Sequence, residues 1–243
     1  MAETLVFLTG ASSWIGLALA KAVSFEDARI IGIGRRGAEG CEHCAADLAD
    51  PASWRRVAQL FMREIQSFTG NRVVFIHCAG TLQPMGFAGE VEGEAYARNV
   101  LLNSAAPQVL GDAFLRALRR FRAPGHLVMI SSGAAHSVYE GWTSYGAGKA
   151  AVDQWVRAAG AEQARRGNRC RVLSVAPGIV ATAMQEQIRA TSADVFPEVA
   201  KFVDLDEAGE LREPAAVARE IWDLFDLDLE NGAVVDLRDL ANA

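Results

Sequence analysis

Four cysteines in 243 residues, Cys41, Cys44, Cys78 and Cys170, are too few and too dispersed for a disulfide scaffold, and they read as reduced thiols. Cys41-Glu42-His43-Cys44 has the spacing of half a zinc site, but a tetrahedral site needs a second ligand pair, and none follows; no metal is expected. Long apolar runs are also missing. Charged residues interrupt every stretch well short of the roughly 20 apolar residues that a membrane-spanning helix requires, so no membrane association is expected. The chain shows no basic region followed by an apolar run and a small-residue cleavage site, and the expected address is cytoplasmic. A net charge of −6 with scattered arginines and lysines provides no basic stripe to meet a phosphate backbone, so nucleic acid is not an expected partner. Repeats, low-complexity tracts and flexible linkers are absent, and residues 1–243 are read as one domain. What is present is apolar residue in quantity, 51% against 22% charged, enough to bury one large core.

Short Val/Ile/Leu-rich runs alternate with longer segments of helical period, the pattern of β-α-β crossovers. Strands are expected at Thr4–Thr9, Ala28–Gly32, Arg72–His77, His126–Ser131, Arg169–Val175 and Ala233–Asp236, with a short extra one near Cys44. Helices are expected at Ile15–Ser24, Pro51–Phe68, Glu94–Phe121, Ser144–Arg166 and Pro214–Leu227, and Pro51 and Pro214 suit a helical first turn, where no amide donor is needed. The fold class is therefore α/β, a doubly wound, Rossmann-type parallel sheet of about seven strands with helices on both faces. Residues 183–213 break the alternation and carry Met184, Ile188, Phe196, Val199, Phe202 and Val203 among polar residues. Because long excursions beyond a strand's carboxyl end border the ligand crevice in such sheets, this segment is read as a substrate lid.

Directly after the first strand comes Thr9-Gly10-Ala11-Ser12-Ser13-Trp14-Ile15-Gly16, then a helix. A dinucleotide site needs a tight turn and free helix N-terminal amides facing the pyrophosphate, which makes Gly10, Ser12, Ser13, Trp14, Ile15 and Gly16 candidate cofactor residues. Trp14 stands where such turns usually have another glycine. A bulky residue at positive φ is costly, so the turn is expected to be rearranged or to hold Trp14 at negative φ. At the end of the second strand, Gly32-Ile33-Gly34-Arg35-Arg36 offers no carboxylate for a ribose hydroxyl and two guanidiniums able to fork onto a 2′-phosphate. Arg35 and Arg36 thus favour NADP(H) over NAD(H), the alternative being a solvated loop. Asp47 and Leu48, after the short third strand, are placed by the adenine.

Tyr145 and Lys149, four apart at the start of a helix, share one face. A neighbouring ammonium lowers a phenol's pKa, and Lys149 is positioned to act so on Tyr145. Ser132 ends the preceding strand and lies near the same sheet edge, within reach of a substrate oxygen. His136, in the loop between Ser132 and Tyr145 beside Trp142, is read as an exposed loop histidine.

Thr9 to Gly16, Asp47, Ala79-Gly80, Asn103, Ser132, Tyr145 to Lys149 and Pro177-Gly178, in this order over nearly the whole chain, resemble the short-chain dehydrogenase/reductase family. The Tyr-x-x-x-Lys element with an upstream Ser and a downstream Pro-Gly is specific in combination. The likeness implies Tyr145 as general acid, Ser132 orienting the carbonyl, Lys149 holding the nicotinamide ribose, and Asn103 fixing a water in the proton relay. Ala79 and Gly80 would flank the cofactor, and Pro177, Gly178, Val180 and Thr182 would meet its nicotinamide amide. Around Pro177 to Ile188 the chain looks most like benzil reductases, with sepiapterin reductase-like enzymes next. Three departures stand out: Trp14, His77-Cys78 in place of the family's paired asparagines, and Val235-Asp236-Leu237-Arg238 at the end. The expected activity is NADP-dependent reduction of an apolar or aromatic ketone or diketone, from the character of Trp142, Met184, Phe196 and Phe202, in a homodimer or homotetramer. A cofactor-binding regulator or scaffold with little turnover is the alternative.

Overall fold

The computed structural model describes residues 2–25, 27–119, 121–167 and 169–240. Its elements run β1 (Thr4–Thr9), α1 (Trp14–Lys21), β2 (Ala28–Gly34), β3 (Glu42–Ala45), α2 (Pro51–Ser67), β4 (Arg72–His77), α3 (Gly93–Val100), a π-helical segment (Leu101–Ala105), α4 (Ala106–Leu118), β5 (Gly125–Ile130), a 3-10 turn (Gly133–Ala135), α5 (Thr143–Arg165), β6 (Cys170–Ala176), α6 (Ala183–Arg189), α7 (Val199–Glu207), α8 (Pro214–Asp223), β7 (Val234–Asp236) and α9 (Leu237–Leu240). The strands form one sheet in the order β3-β2-β1-β4-β5-β6-β7, every pair parallel.

Alternation along the strands builds the two covered faces. Leu5 and Phe7 of β1 point into a core with α2, α4 and α5, where Phe7, Phe61, Phe75 and Phe114 meet at ring distances of 4.9–6.3 Å. Val6 and Leu8 point the other way, onto a core with α1 and α8 in which Trp222 Nε1 donates to Leu19 O. Order reverses between β1 and β4, so their carboxyl ends diverge into a crevice.

The expected elements are present with ends shifted by a few residues, except that the long helix expected from Glu94 to Phe121 is three pieces. Pro107 has no N–H to donate to the carbonyl of Asn103 four residues back, and the helix widens there, Ala106 N bonding to Leu101 O. Among the described residues no helix is long and apolar enough to cross a membrane.

Candidate active site

A cavity of about 630 Å³ follows the carboxyl ends of the strands from the turn after β1 to α7. Of the residues named from sequence as catalytic or cofactor-binding, all but Gly16 and Asn103 line it. Both exceptions act from behind. A Cβ on Gly16 would fall 2.2 Å from Gly10 O, and one on Gly10 3.1 Å from Ala79 N, so the turn is closed tightly on itself and on the loop after β4. The Ser13 side chain does not cap α1, and Ser13, Trp14 and Ile15 at the start of that helix line the cavity.

Trp14 does not follow the expectation of a rearranged turn. Its φ is +54°, the left-handed region, so the backbone keeps the conformation that a glycine would adopt freely and carries the strain. The indole forms part of the cavity wall. At the other departure, Thr9 Oγ1 accepts from Cys78 N at 2.9 Å and Ala79 N at 3.1 Å, tying the strand end to the loop. His77 is buried with neither ring nitrogen in a well-formed hydrogen bond, and burial, followed by the Lys149 charge, pushes it down to about 3.

The opposite wall comes from β5 and α5. Ser132 follows β5 and Tyr145 sits in the first turn of α5, where the serine hydroxyl acts on the phenol in the direction that favours its ionised form. Lys149, one turn on, donates from Nζ to Ile130 O at 2.8 Å and lies 5.7 Å from the centre of the Tyr145 ring. Burial pushes Lys149 down to about 8. Burial also raises Tyr145, with Ser132 opposing the rise, against the lowered phenol that the sequence spacing suggested. Asn103 is buried, its amide spent on the loop after β4: Nδ2 donates to Thr81 O and Asn99 Oδ1, both at 2.8 Å, and Oδ1 accepts from Thr81 N at 3.0 Å. Its backbone carbonyl faces Gly148, and Pro107, four residues on, has no amide to donate to it.

Beyond Tyr145 the walls become apolar. Trp142, Leu82, Ile188 and Phe202 cluster there, with Phe196 stacked flat against Trp142 at 4.4 Å. Phe196 is fully buried and so backs the pocket rather than lining it. Lys201 Nζ donates to Tyr139 OH at 3.1 Å on the cavity wall. At the far end Arg35 and Arg36 are exposed on the rim.

Sequence reasoning missed Arg98, whose Nη2 sits 2.9 Å from Asp47 Oδ2 and which lines the cavity beside it; a position five residues into a helix gave no sign of it. Arg238, also on the wall, forks onto Asp236. Cys41 and Cys44 pack into the cores on opposite sides of the sheet, and no group of three metal-capable side chains exists among the described residues.

The model of the short chain dehydrogenase family matches residues 4–193. The chain belongs to that family. It is 29% identical to the benzil reductase ((S)-benzoin forming) of Bacillus cereus over 92% of this chain and 94% of that protein. Sepiapterin reductase of Meriones unguiculatus is 34% identical over 80% and 74%. Among solved structures, a short chain dehydrogenase/reductase from Saccharomyces cerevisiae superposes with a TM-score of 0.83 at 23% identity, covering 99% of this chain and 98% of the other, a likeness of fold. The chain is accordingly an oxidoreductase acting on CH–OH or C=O groups.

Proposed function

We propose that this protein is an NADP(H)-dependent carbonyl reductase of apolar or aromatic ketones and diketones, working in the cytoplasm as a homodimer or homotetramer. The observation that carries the reading is the place of Tyr145: its phenol, on the same cavity wall as Ser132 and flanked by Lys149, stands where the polar half of the cleft gives way to the aromatic half. Four free cysteines fit a reducing compartment.

The glycine turn, followed by an α1 that no side chain caps, suits the pyrophosphate. Arg35 and Arg36 suit a 2′-phosphate, and neither forms an ion pair among the described residues. Asp47 and Leu48 would flank the adenine, Ala79 and Gly80 the ribose side, and Pro177, Gly178, Val180 and Thr182 the nicotinamide amide. The bound cofactor supplies hydride chemistry.

The chain's own residues do the rest. Ser132 holds the substrate carbonyl oxygen and Tyr145 protonates it. Lys149 stabilises the phenolate left behind, and the Asn103 carbonyl holds a water from which the proton is replaced. Residues 183–213 cover the apolar half and exclude solvent; the second oxygen of a diketone, or an aryl ring, fits against Trp142 and Phe202. The reported relatives that reduce benzil support the substrate class. The open cleft and the intact Ser132, Tyr145 and Lys149 favour an enzyme over a scaffold.

NADPH oxidation with an aromatic diketone tests the reading. Tyr145→Phe is expected to bind NADPH as the native protein does and to turn over about 10²–10⁴-fold more slowly. Equal rates would remove the assigned acid, and turnover of sugars or charged acyl thioesters alone would overturn the substrate class.

A further inference from the structure

Asp153 lies four residues beyond Lys149 and eight beyond Tyr145 on α5, so the three share one helix face. Its side chain is only 1% exposed. A buried carboxylate is costly unless it is hydrogen-bonded or has a cation near it, and only one Asp153 oxygen is hydrogen-bonded within the protein. Ser174 Oγ, from the neighbouring strand β6, donates to Oδ1 at 2.6 Å. On the other side His136 Nε2 stands 3.0 Å from Oδ2, and the His136 side chain is 55% exposed. His136 belongs to the loop that joins Ser132 to Tyr145, so one pair links bulk solvent, a buried anion and the catalytic helix. Nothing in the reduction described above uses it.

We propose that Asp153 is a positioning residue whose buried carboxylate holds Lys149 as an ammonium beside Tyr145. The groups facing Lys149 are Tyr145 and Asp153 from its own helix and His77 and Cys78 from the end of β4. Burial works against the ammonium, while Cys78 and Asp153 favour it. Cys78, however, is itself pushed up to about 11 by burial and is a neutral thiol at pH 7. His77, buried and neutral, supplies no anion either. Asp153 is the remaining source of negative charge.

The chain contains three lysines, Lys21, Lys149 and Lys201, so a sample labelled at lysine ¹³Cε gives few signals, and Lys149 is assigned by its loss in Lys149→Met. Titration without cofactor or substrate reads the ammonium directly. In Asp153→Asn, which keeps the shape and an acceptor for Ser174, the Lys149 midpoint is expected to fall by about one pH unit. An unmoved midpoint in a cooperatively melting Asp153→Asn overturns the proposal. The catalytic half rests on the reductase reading: the alkaline limb of kcat/KM with NADPH and a diketone should follow the NMR midpoints. Midpoints that shift in a protein reducing no ketone would uphold the electrostatic coupling while rejecting the reductase; turnover whose limb ignores shifted midpoints would reject the positioning role alone.

Discussion

Replacing Trp14 by glycine and, separately, by alanine isolates the strain stored in the turn after β1. Both changes remove the indole and whatever it packs against, so that loss cancels in the comparison. They differ in backbone freedom. Alanine must still sit at φ +54°, a conformation that costs a non-glycine residue roughly 1–3 kcal/mol, and glycine adopts it without penalty. Glycine gives back about 0.5–1 kcal/mol through its freer unfolded chain. The balance leaves the glycine variant more stable by about 1 kcal/mol, which for a domain of this size raises the melting midpoint by about 2–4 °C. Thermal melts by circular dichroism at one protein concentration read the difference. An alanine variant melting at or above the glycine variant would refute the strain argument. NADPH titration of the same pair then separates the turn's geometry from the side chain: if the indole matters as a wall of the cleft, both variants bind with equal affinity, and that affinity differs from the native protein's.

Other perturbations test other parts of the molecule. Gly16→Ala places a Cβ 2.2 Å from Gly10 O, contact with backbone that only a displaced turn can relieve; calorimetric titration should show NADPH affinity down at least about tenfold, the scale of one lost charge-assisted hydrogen bond, and unaltered affinity would mean that the turn does not bind the cofactor. Removing both rim guanidiniums, Arg35→Ala with Arg36→Ala, should raise KM for NADPH by about 10–100-fold and leave KM for NADH nearly unchanged; parallel changes would speak against a 2′-phosphate site. Phe114→Ala opens the aromatic cluster with Phe7, Phe61 and Phe75 and should cost about 3–5 kcal/mol in urea melts. For His77, the folded-state value of about 3 lies below that of the unfolded chain, so the unfolded state binds the extra proton and stability falls as pH drops from about 6.5 toward 3. Between pH 7 and 5 this one group removes about 2 kcal/mol. His77→Asn should flatten that part of the urea-midpoint profile, and an identical profile would show that His77 is not held neutral.

Most of the sheet was legible because its inner strands are short apolar runs bounded by turn residues, the pattern that parallel strands buried on both faces leave; the edge strand β3, Glu42–Ala45, is exposed and carries no such run. Tyr145, Lys149 and Ser132 were legible for a related reason: a spacing of four on a helix and a serine at a strand end are local facts, and the fold brings them together at one sheet edge. Contacts made across the fold were not. Arg98 meets Asp47 from a helix 51 residues away, and no pattern within either segment announces the pair. The phenol's proton affinity was misjudged for the same reason. The helical spacing shows the neighbouring ammonium, but the burial that opposes it is a property of the packed cleft.

The break in the helix before α4 is different, because its signal was present in plain sight. Ala106-Pro107 in a segment of otherwise helical period removes the amide that Asn103 O requires. The chain answers by widening the helix over Leu101–Ala105 rather than by ending it, since Asn99 and Asn103 are held by Thr81 and Gln83 of the loop after β4 and cannot leave. That anchoring fixes which way the freed carbonyl turns. It faces Gly148, where a side chain would come within 3.0 Å of Asn103 Cβ, so the absence of a side chain at residue 148 is what lets the π segment lie against α5 one residue before Lys149. Proline, asparagine pair and glycine thus form one device: the first frees the carbonyl, the second holds the helix in place while it is freed, and the third admits it to the neighbourhood of the lysine.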